Sequence, residues 1–231
     1  MTYVMSDIHG MYDKYAEILR KIDFKESDEL YVIGDVVDRG EDPMKVLLDM
    51  MSRKNVYPLM GNHDLIALNF LPEVNETLAK NGGTLDDCLS QTLRIWINSG
   101  GKTTVSDFCK LDADGRKKVI DYLKEFTLLE AVDIGEKSYV LVHAGFGNYR
   151  HGKKLSEYTD DDLLSCRPDP SEEYFEDKSV FTVMGHTPTQ YFSGKTEIYK
   201  NGRNIFIDCG ACYPKGRLAC LCLDTLEEFY A

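Results

Sequence analysis

The stretch LYVIGDVVDRG, residues 30–40, joins an apolar run to a cluster of charges. Leu30 to Ile33 are strand-forming residues, and a glycine follows them directly. Asp35, Asp38 and Arg39 then fall within a few residues of one another. Because like charges repel, a surface turn gains nothing from this cluster unless the charges hold an ion or a charged ligand. The stretch therefore predicts a strand whose carboxyl end forms part of a binding site.

Composition and charge restrict the class of protein. Of the 231 residues, 43% are hydrophobic and 29% are charged, as in an ordinary globular protein. The 27 basic against 39 acidic residues give a net charge of −12, which argues against a general binder of nucleic acid or of an anionic membrane. The amino-terminal residues do not resemble a signal peptide, and no segment approaches the about 18 consecutive apolar residues of a membrane helix. The chain has seven cysteines, an odd number that cannot all pair within the chain. Because no signal peptide is recognised either, we expect reduced thiols and a cytoplasmic protein.

Apolar spacing in the first 70 residues predicts strands that alternate with helices. The expected strands are Thr2–Met5, Leu30–Ile33 and Val56–Met60. The expected helices are Met11–Ile22, one that begins at Pro43, and one at about Asp64–Leu71. A βαβαβα order of this kind indicates a largely parallel sheet.

The rest of the chain is predicted to contain a helical segment and then more strands. Residues 73–126 look mostly helical, with apolar spacing of three and four at 85–97 and 116–126. The expected later strands are 128–134, 139–143, 181–184, 197–199, 204–207 and 218–223, with hairpin turns at 135–138 and 201–202. The acid-rich residues 157–177 are interpreted as a solvated loop. We find no repeat and no linker, and therefore predict one domain over residues 1–231 with a mostly helical insertion at about 73–126.

Four of the five histidines follow the carboxyl end of a predicted strand within one or two residues. These four are His9, His63, His143 and His186, whereas His151 lies in a basic loop. Ligands of open α/β sheets bind outside the carboxyl ends of the strands. A histidine that only packs in the core has no reason to recur there, so we interpret these four as residues of one site.

Carboxylate and amide residues follow the same strand ends. Asp7 lies two residues before His9, so both side chains are expected on one face. Asp35 follows the second strand, and Asn62 precedes His63 after the third. A set of oxygen and imidazole ligands without cysteine suits Mn²⁺, Fe or Zn²⁺. Six protein ligands are too many for one catalytic ion, whereas two ions that share a carboxylate use them naturally.

Five motifs, in this order, resemble those of the metallophosphoesterases. They are most similar to the bacterial and phage branch of the serine/threonine protein phosphatase family. The motifs are SDIHG (6–10), GDVVDRG (34–40), GNHD (61–64), HAG (143–145) and GHT (185–187). The resemblance implies an α/β fold of two packed mixed sheets flanked by helices, a four-layer α-β-β-α sandwich. Ser6 is a departure, because the eukaryotic enzymes usually begin this motif with GD.

The resemblance also implies a metal ligand set. One ion would be held by Asp7, His9 and Asp35, and Asp35 would bridge to a second ion. The second ion would be completed by Asn62, His143 and His186. Two divalent ions are therefore expected, with Mn²⁺ as the first choice and Fe or Zn²⁺ as alternatives.

Other motif residues are implied to act on the substrate. His63 would be the general acid, and Asp38 would orient its imidazole. The substrate phosphate would contact Arg39 and Asn62. Arg167 is a further phosphate-binding candidate from its place between the HAG and GHT motifs.

The activity implied by the resemblance is hydrolysis of a phosphomonoester by direct attack of metal-activated water. The expected substrate is a phosphorylated protein or a small phosphomonoester, and neither nucleic acid nor a membrane is an expected partner. One alternative is a symmetrical diadenosine tetraphosphate hydrolase. Those enzymes typically lack the second aspartate of the VDRG motif and place an aromatic residue after the final GH, where this chain has Asp38 and Thr187. Another alternative is a catalytically silent metal-binding protein.

Two further patterns match the motifs of other binding sites only in part. SGGKTT at 99–104 ends like a phosphate-binding P-loop, but Trp96 stands where the first glycine is required. Cys220 and Cys222 form C-x-C in an apolar run, not the C-x₂-C of a structural zinc site. We therefore expect these cysteines to pack as small hydrophobic residues.

Overall fold

The computed structural model describes residues 1–80 and 90–231. Within these residues the strands are β1 (Thr2–Met5), β2 (Glu29–Ile33), β3 (Val56–Leu59), β4 (Leu129–Ile134), β5 (Lys137–Val142), β6 (Val180–Met184), β7 (Tyr199–Asn201), β8 (Asn204–Phe206), β9 (Ala219–Cys222) and β10 (Glu228–Tyr230). The helices are α1 (Tyr12–Lys21), α2 (Pro43–Met51), α3 (Asn62–Lys80), α4 (Gln91–Trp96), α5 (Lys102–Lys110), α6 (Ala113–Leu123), α7 (Asp160–Leu164) and α8 (Gln190–Ser193).

The strands form two mixed sheets of five strands each. The first sheet has the order β10-β9-β1-β2-β3, and its β1, β2 and β3 are parallel, as the alternation of strands and helices predicted. The second sheet has the order β4-β5-β6-β8-β7, with β5, β6 and β8 parallel. Parallel strands end at the same edge of a sheet, so the loops that follow β1, β2, β3, β5 and β6 can meet there.

The two sheets pack face to face through apolar side chains that alternate along the strands. Val4, Ile33 and Leu59 of the first sheet join Leu141 and Val183 of the second in one buried cluster. Each fully buried side chain of this size contributes about 1.5–3 kcal/mol through removal from water. The predicted pair of mixed sheets flanked by helices is thus confirmed.

The outer faces of the two sheets are covered differently. Helices α1, α2, α3, α5 and α6 pack on the first sheet in a large apolar cluster. The second sheet is covered by the short α7 and α8 and by the long β5–β6 connection. Its outer cluster is rich in aromatic rings, including Phe146, Tyr174 and Phe206.

Several element bounds differ from the sequence expectation. Helix α3 continues to Lys80 and not to about Leu71, because Leu71, Val74 and Leu78 are buried against neighbouring helices. The expected helix at 85–97 is seen as α4 only, and residues 81–89 lie outside the described part of the chain. Helix α5 lies within the segment 73–126 that was predicted to be mostly helical, whereas helix α8 and strand β10 were not predicted.

Residues 157–177 are less solvated than expected. The segment contains α7, which begins with a capping box in which the Thr159 hydroxyl accepts from the backbone NH of Asp162 at 3.2 Å. Leu163, Leu164 and Tyr174 from this segment are buried. The loop interpretation was wrong for these residues because acidic neighbours in the sequence concealed an apolar contact face.

In the described residues, no helix has both the length and the apolar character required to cross a membrane.

Candidate dinuclear metal and phosphate site

The loops after the parallel strands are held together by backbone hydrogen bonds. The NH of Asp7 donates to the carbonyl of Gly34 at 3.0 Å, and the NH of His9 donates to that of Asp35 at 2.9 Å. A Cβ at Gly34 would lie 2.5 Å from His143 Nδ1, so the absence of a side chain there is required for this approach. The motif residues are therefore fixed by the backbone.

Ligand atoms converge at this edge in two groups that share Asp35. One group is His9, Asp35 and His63, and the other is Asp35, His143 and His186; within each group the ligand atoms lie within 4.8 Å of one another. Asp35 Oδ2 is 3.5 Å from His9 Nε2, and its Oδ1 is 3.5 Å from His143 Nε2. One carboxylate thus faces two imidazoles with different oxygens, which is the arrangement that a bridging ligand requires.

Backbone carbonyls fix the tautomers of two of these histidines. His9 Nδ1 lies 2.9 Å from the carbonyl of Val37, and His143 Nδ1 lies 2.8 Å from that of Ile33. A carbonyl oxygen only accepts hydrogen bonds, so Nδ1 carries the proton in both rings. Nε2 of each ring, which faces Asp35, is then the position for a metal or a second proton.

The site residues are held in strained backbone conformations. Six of them have left-handed φ angles: Asp7 (52°), His9 (46°), Asp35 (53°), Asp38 (71°), Arg39 (69°) and His186 (60°). Such conformations of residues other than glycine cost free energy and are concentrated at functional sites. These strained conformations therefore direct the six side chains toward one site.

Buried carboxylates accumulate at the same point. Asp7, Asp35 and Asp208 are each less than 5% exposed. Burial and the charges of Asp7 and Asp35 raise the pKa of Asp208 well above its usual range. Burial lowers the pKa of His143, but the Asp35 carboxylate outweighs it and raises that pKa to about 10. The negative charge around His143 therefore favours a positive charge at this position, which here is a proton on the imidazole.

The donor set fits two divalent cations. Burial and the nearby His143 and Arg167 lower the pKa of His186 to about 3, so its imidazole is in the neutral form that binds metals. Asn62 Oδ1 lies 3.2 Å from His143 Nε2. Asp7 is outside both groups of three, and its Oδ2 accepts from the Ser6 hydroxyl and from the His186 backbone NH.

His63 and Asp38 form a buried pair beside these ligand atoms. His63 Nδ1 lies 2.7 Å from Asp38 Oδ2, and Asp38 is fully buried. The same carboxylate accepts from Trp96 Nε1 at 2.8 Å and from the Thr104 hydroxyl at 2.6 Å. Burial lowers the pKa of His63, but the Asp38 hydrogen bond and the Asp35 charge outweigh it, so the pKa is raised above its usual value. Asp38 and Asp35 therefore favour the protonated form of this imidazole.

Arg39 directs its guanidinium between two histidines of the site. Nη1 lies 2.8 Å from His9 Nε2, and Nη2 lies 2.8 Å from His63 Nε2. Nη1 is also 3.3 Å from the hydroxyl of Tyr213. A single lone pair of His9 cannot serve both this arginine and a metal ion, so a metal at His9 excludes this position of Arg39.

Arg167 lies at the same opening. Its Nη1 donates to the carbonyl of His186 at 2.7 Å and to the Thr187 hydroxyl at 2.9 Å. A cavity of about 60 Å³ is lined by Asp35, Arg39, Asn62, Arg167, His186, Pro188, Tyr191, Asp208 and Tyr213. The structure thus brings the three residues expected at the substrate phosphate to the edge of the ligand cluster.

Several supporting residues were missed in the sequence. Asp64, the last residue of GNHD, accepts from the backbone NH groups of Val36, Val37 and Gly61 at 3.0–3.2 Å. It therefore fastens the VDRG loop to the start of α3. The sequence signal for this supporting role was the position of Asp64 at the end of the GNHD motif.

The SGGKTT stretch also supports the VDRG loop. The carbonyl of Gly100 accepts from the backbone NH of Arg39 at 3.0 Å, and the hydroxyl of Thr104 contacts Asp38. A Cβ at Gly101 would lie 2.4 Å from the Trp96 ring, so only glycine allows the indole to reach Asp38. The stretch resembles a P-loop only in sequence; its position is beside the proposed acid.

Comparison with known proteins agrees with this geometry. Residues 2–208 match the sequence family described as calcineurin-like phosphoesterase. The chain belongs to this family. The family expected from the five motifs is thus confirmed, and the protein is a metallophosphoesterase by family and by fold.

Two curated relatives of this phosphoesterase have the same activity in their names. The symmetrical bis(5'-nucleosyl)-tetraphosphatase of Haemophilus ducreyi is 39% identical over 236 residues, which cover 98% of this chain and 74% of the relative. The enzyme of the same name from Proteus mirabilis is 26% identical over 234 residues, covering 98% and 73%.

Solved structures show the shared fold. A putative diadenosine tetraphosphatase superimposes with a TM-score of 0.68 and 17% identity, covering 100% of this chain and 92% of that structure. A serine/threonine protein phosphatase from Saccharomyces cerevisiae gives a TM-score of 0.55 and 12% identity, covering 100% and 78%. At these identities the similarity establishes the phosphoesterase fold and not the substrate.

Proposed function

We propose that this protein is a metal-dependent phosphoesterase of the serine/threonine protein phosphatase type that hydrolyses phosphomonoesters. The observation that carries the proposal is the buried His63–Asp38 pair, with its 2.7 Å contact and two further donors on the carboxylate. A fixed proton donor of this kind is most useful when the leaving group is a poor one, such as an alkoxide.

Six residues would hold the cations: Asp7, His9, Asp35, Asn62, His143 and His186. When bound, two divalent cations lower the pKa of water and neutralise phosphate charge. We expect Mn²⁺, with Fe or Zn²⁺ as alternatives, because imidazoles and carboxylates are combined in the ligand set.

Arg39, Arg167 and Asn62 would bind and orient the phosphoryl group. The two arginines approach the 60 Å³ cavity from different elements, and each carries a planar fork that pairs with phosphate oxygens. Arg39 is available for this role once its contacts with Nε2 of His9 and Nε2 of His63 are released. The two positive groups would then align the ester for in-line displacement.

His63 would donate its proton to the leaving oxygen through Nε2. Nδ1 is held by Asp38, so the proton for the leaving oxygen would be carried at Nε2. Arg39 Nη2 now lies 2.8 Å from Nε2 and, because arginine only donates, has to leave before this nitrogen is protonated. Asp38 stabilises the protonated ring and keeps its orientation. The residue is thus a general acid and Asp38 is its positioning partner.

A second candidate is symmetrical cleavage of dinucleoside tetraphosphates. The names of the curated relatives favour it. The exposed rings of Tyr191 and Tyr213 at the edge of the cavity also offer surfaces on which a base can stack. Against it stand Asp38 and the Thr187 that follows the last GH, because hydrolases of that kind typically lack the first and have an aromatic residue at the second.

Paired kinetics decide between the two candidates. We would measure kcat/KM for a phosphoserine or phosphothreonine peptide and for diadenosine tetraphosphate with one Mn²⁺-loaded preparation, with His63→Asn as the control for hydrolysis at this site. The proposal expects a clear preference for the peptide. A preference for the dinucleotide establishes the second candidate, and hydrolysis of neither substrate by metal-loaded protein supports the silent metal-binding alternative.

A further inference from the structure

An aromatic pocket outside the ligand cluster has no role in the proposed hydrolysis. It lies on the outer face of the second sheet, within the connection between β5 and β6, and its volume is about 280 Å³. Five aromatic rings line it: Phe146, Tyr149, Tyr158, Tyr174 and Phe175. The cavity at the ligand cluster holds about 60 Å³ by the same measure, so this pocket is the larger of the two.

The rings are arranged around Phe146, which is buried at the base. Its centroid lies 5.3 Å from Tyr158, 5.0 Å from Tyr174 and 5.8 Å from Phe175, at interplanar angles of 55–85°. Tyr149, Tyr158 and Phe175 are only partly buried, and all three line the pocket, so they are accessible from it. Rings that are fixed by their neighbours and still open form a preorganised surface for another flat ring.

The pocket wall contains a cation whose charge is already neutralised. Lys153 Nζ lies 3.7 Å from the centroid of the Tyr158 ring, and it pairs with Asp162 at 3.3 Å. It also donates to the backbone carbonyls of Gly147 and Asn148. With one face of Tyr158 covered by an ammonium group, a second cation in the pocket is disfavoured, and a neutral ring is preferred.

The rim offers polar groups that a ligand can displace. His151 Nε2 and Glu176 Oε1 are 3.1 Å apart, and both side chains are more than three-quarters exposed. Exposed polar contacts of this kind contribute little to stability. Glu176 can therefore turn to accept hydrogen bonds from the edge of a bound ring.

A neutral flat ring with amine donors on its edge fits these three features together. From the ring arrangement, the neutralised lysine and the Glu176 carboxylate at the rim, we propose that this pocket binds a purine nucleobase with an exocyclic amine. The base stacks on the open rings of Tyr158 and Phe175, and Glu176 accepts from its amine. The proposal does not rest on the activity proposed above.

Adenosine is the probe, because it lacks the phosphate that Arg39 and Arg167 would bind. We expect calorimetric titration of the full chain to give one site for adenosine. Replacing Tyr158 by leucine should weaken binding roughly tenfold or more, the usual effect of losing a stacking ring. The matched control is Tyr57→Leu, because Tyr57 is a partly exposed ring on β3 that stacks on Tyr31 of the neighbouring β2, in the first sheet and not in the sheet that carries the pocket. It should leave adenosine binding unchanged.

The edge contact is tested with purine riboside, in which hydrogen replaces the amine. Purine riboside should bind several-fold more weakly than adenosine, because it has no donor on that edge for the Glu176 carboxylate, and Glu176→Gln should reduce this difference. Equal affinities for the two nucleosides would contradict the role of Glu176.

Three results would overturn the proposal as a whole. One is the absence of adenosine binding to the native chain, and another is an adenosine affinity that Tyr158→Leu does not change. The third is tighter binding of N-acetyltyrosinamide than of adenosine, which would indicate a pocket for an aromatic peptide side chain. Circular dichroism and nitrophenyl phosphatase activity of Tyr158→Leu should match the native protein, so that lost binding is not lost folding; lost activity would contradict a separate site.

Discussion

The indole nitrogen of Trp96 donates to Asp38 Oδ2 at 2.8 Å, the same oxygen that contacts His63. This single oxygen connects the helical segment after α3 to the imidazole proposed as the general acid. The carboxylate accepts from Thr104 through its other oxygen, so both of its oxygens are held. A buried carboxylate with several donors is fixed in orientation and so fixes the ring that it contacts.

Loss of the indole donor should reduce protonation of the leaving group. In Trp96→Phe the ring remains but the hydrogen bond to Asp38 is lost, and a bond to a charged group is worth about 1.5–3 kcal/mol. We expect kcat for an alkyl phosphate to fall roughly tenfold, with a smaller fall for nitrophenyl phosphate.

The matched control for this change is Phe70→Leu. Phe70 stacks on Trp96 with a centroid distance of 5.9 Å, so this variant disturbs packing but leaves the indole donor in place. It should lower the melting temperature without changing the ratio of the two rates. If both variants change the ratio equally, Trp96 acts through packing alone.

Removal of the proposed acid should separate chemistry from metal binding. His63→Asn should slow the chemical step by about 10²- to 10⁴-fold, the usual contribution of general acid–base catalysis. The loss should be largest for alkyl phosphates, whose leaving groups most need the proton. Rates on both ester types and the metal content of the variant are the measurements. His151→Asn, which changes an exposed histidine, should behave like the native protein.

An equal loss on nitrophenyl and alkyl phosphates would rule out proton donation by His63. Asp38→Asn should give a milder form of the same pattern, because the imidazole remains but its partner no longer carries a charge.

The strand ends were predictable from the sequence, but the support for Asp38 was not. Apolar runs that end in Asp7, Asp35, Asn62 and His143 placed these residues at one edge, because parallel strands share an edge. Trp96 and Thr104 reach Asp38 from more than 55 residues away in the chain. Such contacts depend on how α4 and α5 pack, which a local pattern does not encode.

The aromatic pocket shows the same limit. Three of its rings, those of Tyr158, Tyr174 and Phe175, come from residues 157–177, where acidic residues predicted a solvated loop, and Tyr158 and Tyr174 have no periodic spacing between them. They meet because both pack on Phe146 over the outer face of the second sheet. Burial that is built from a long connection has no helical or strand period for sequence reasoning to detect.

The shared carboxylate should decide metal content. Asp35→Asn keeps the size of the side chain but removes the charge that faces His9 and His143. We expect the variant to retain less than two metal ions per chain after dialysis and to lose most activity, because a neutral amide is a weak bridging ligand. Elemental analysis gives the stoichiometry.

The control for this change is Asp28→Asn. Asp28 is also a buried carboxylate, but its side chain contacts the amino terminus at 2.9 Å and is not one of the proposed metal ligands. This variant should bind as much metal as the native chain. Two ions per chain with near-native activity in Asp35→Asn would show that the dinuclear assignment is wrong.

The choice of metal follows from the imidazoles. Three of the six proposed ligands are histidines, whereas Mg²⁺ prefers oxygen ligands in strict octahedral geometry and retains its waters. After EDTA treatment and removal of the chelator we therefore expect no activity, and Mn²⁺ should restore it at least as well as Mg²⁺ at equal free concentration. The fold should survive the treatment, because the strand-end loops are joined by backbone hydrogen bonds that need no ion. Circular dichroism before and after chelation checks this point, so that lost activity reports the ions and not unfolding. Full activity with Mg²⁺ alone after rigorous chelation would contradict a site built on His9, His143 and His186.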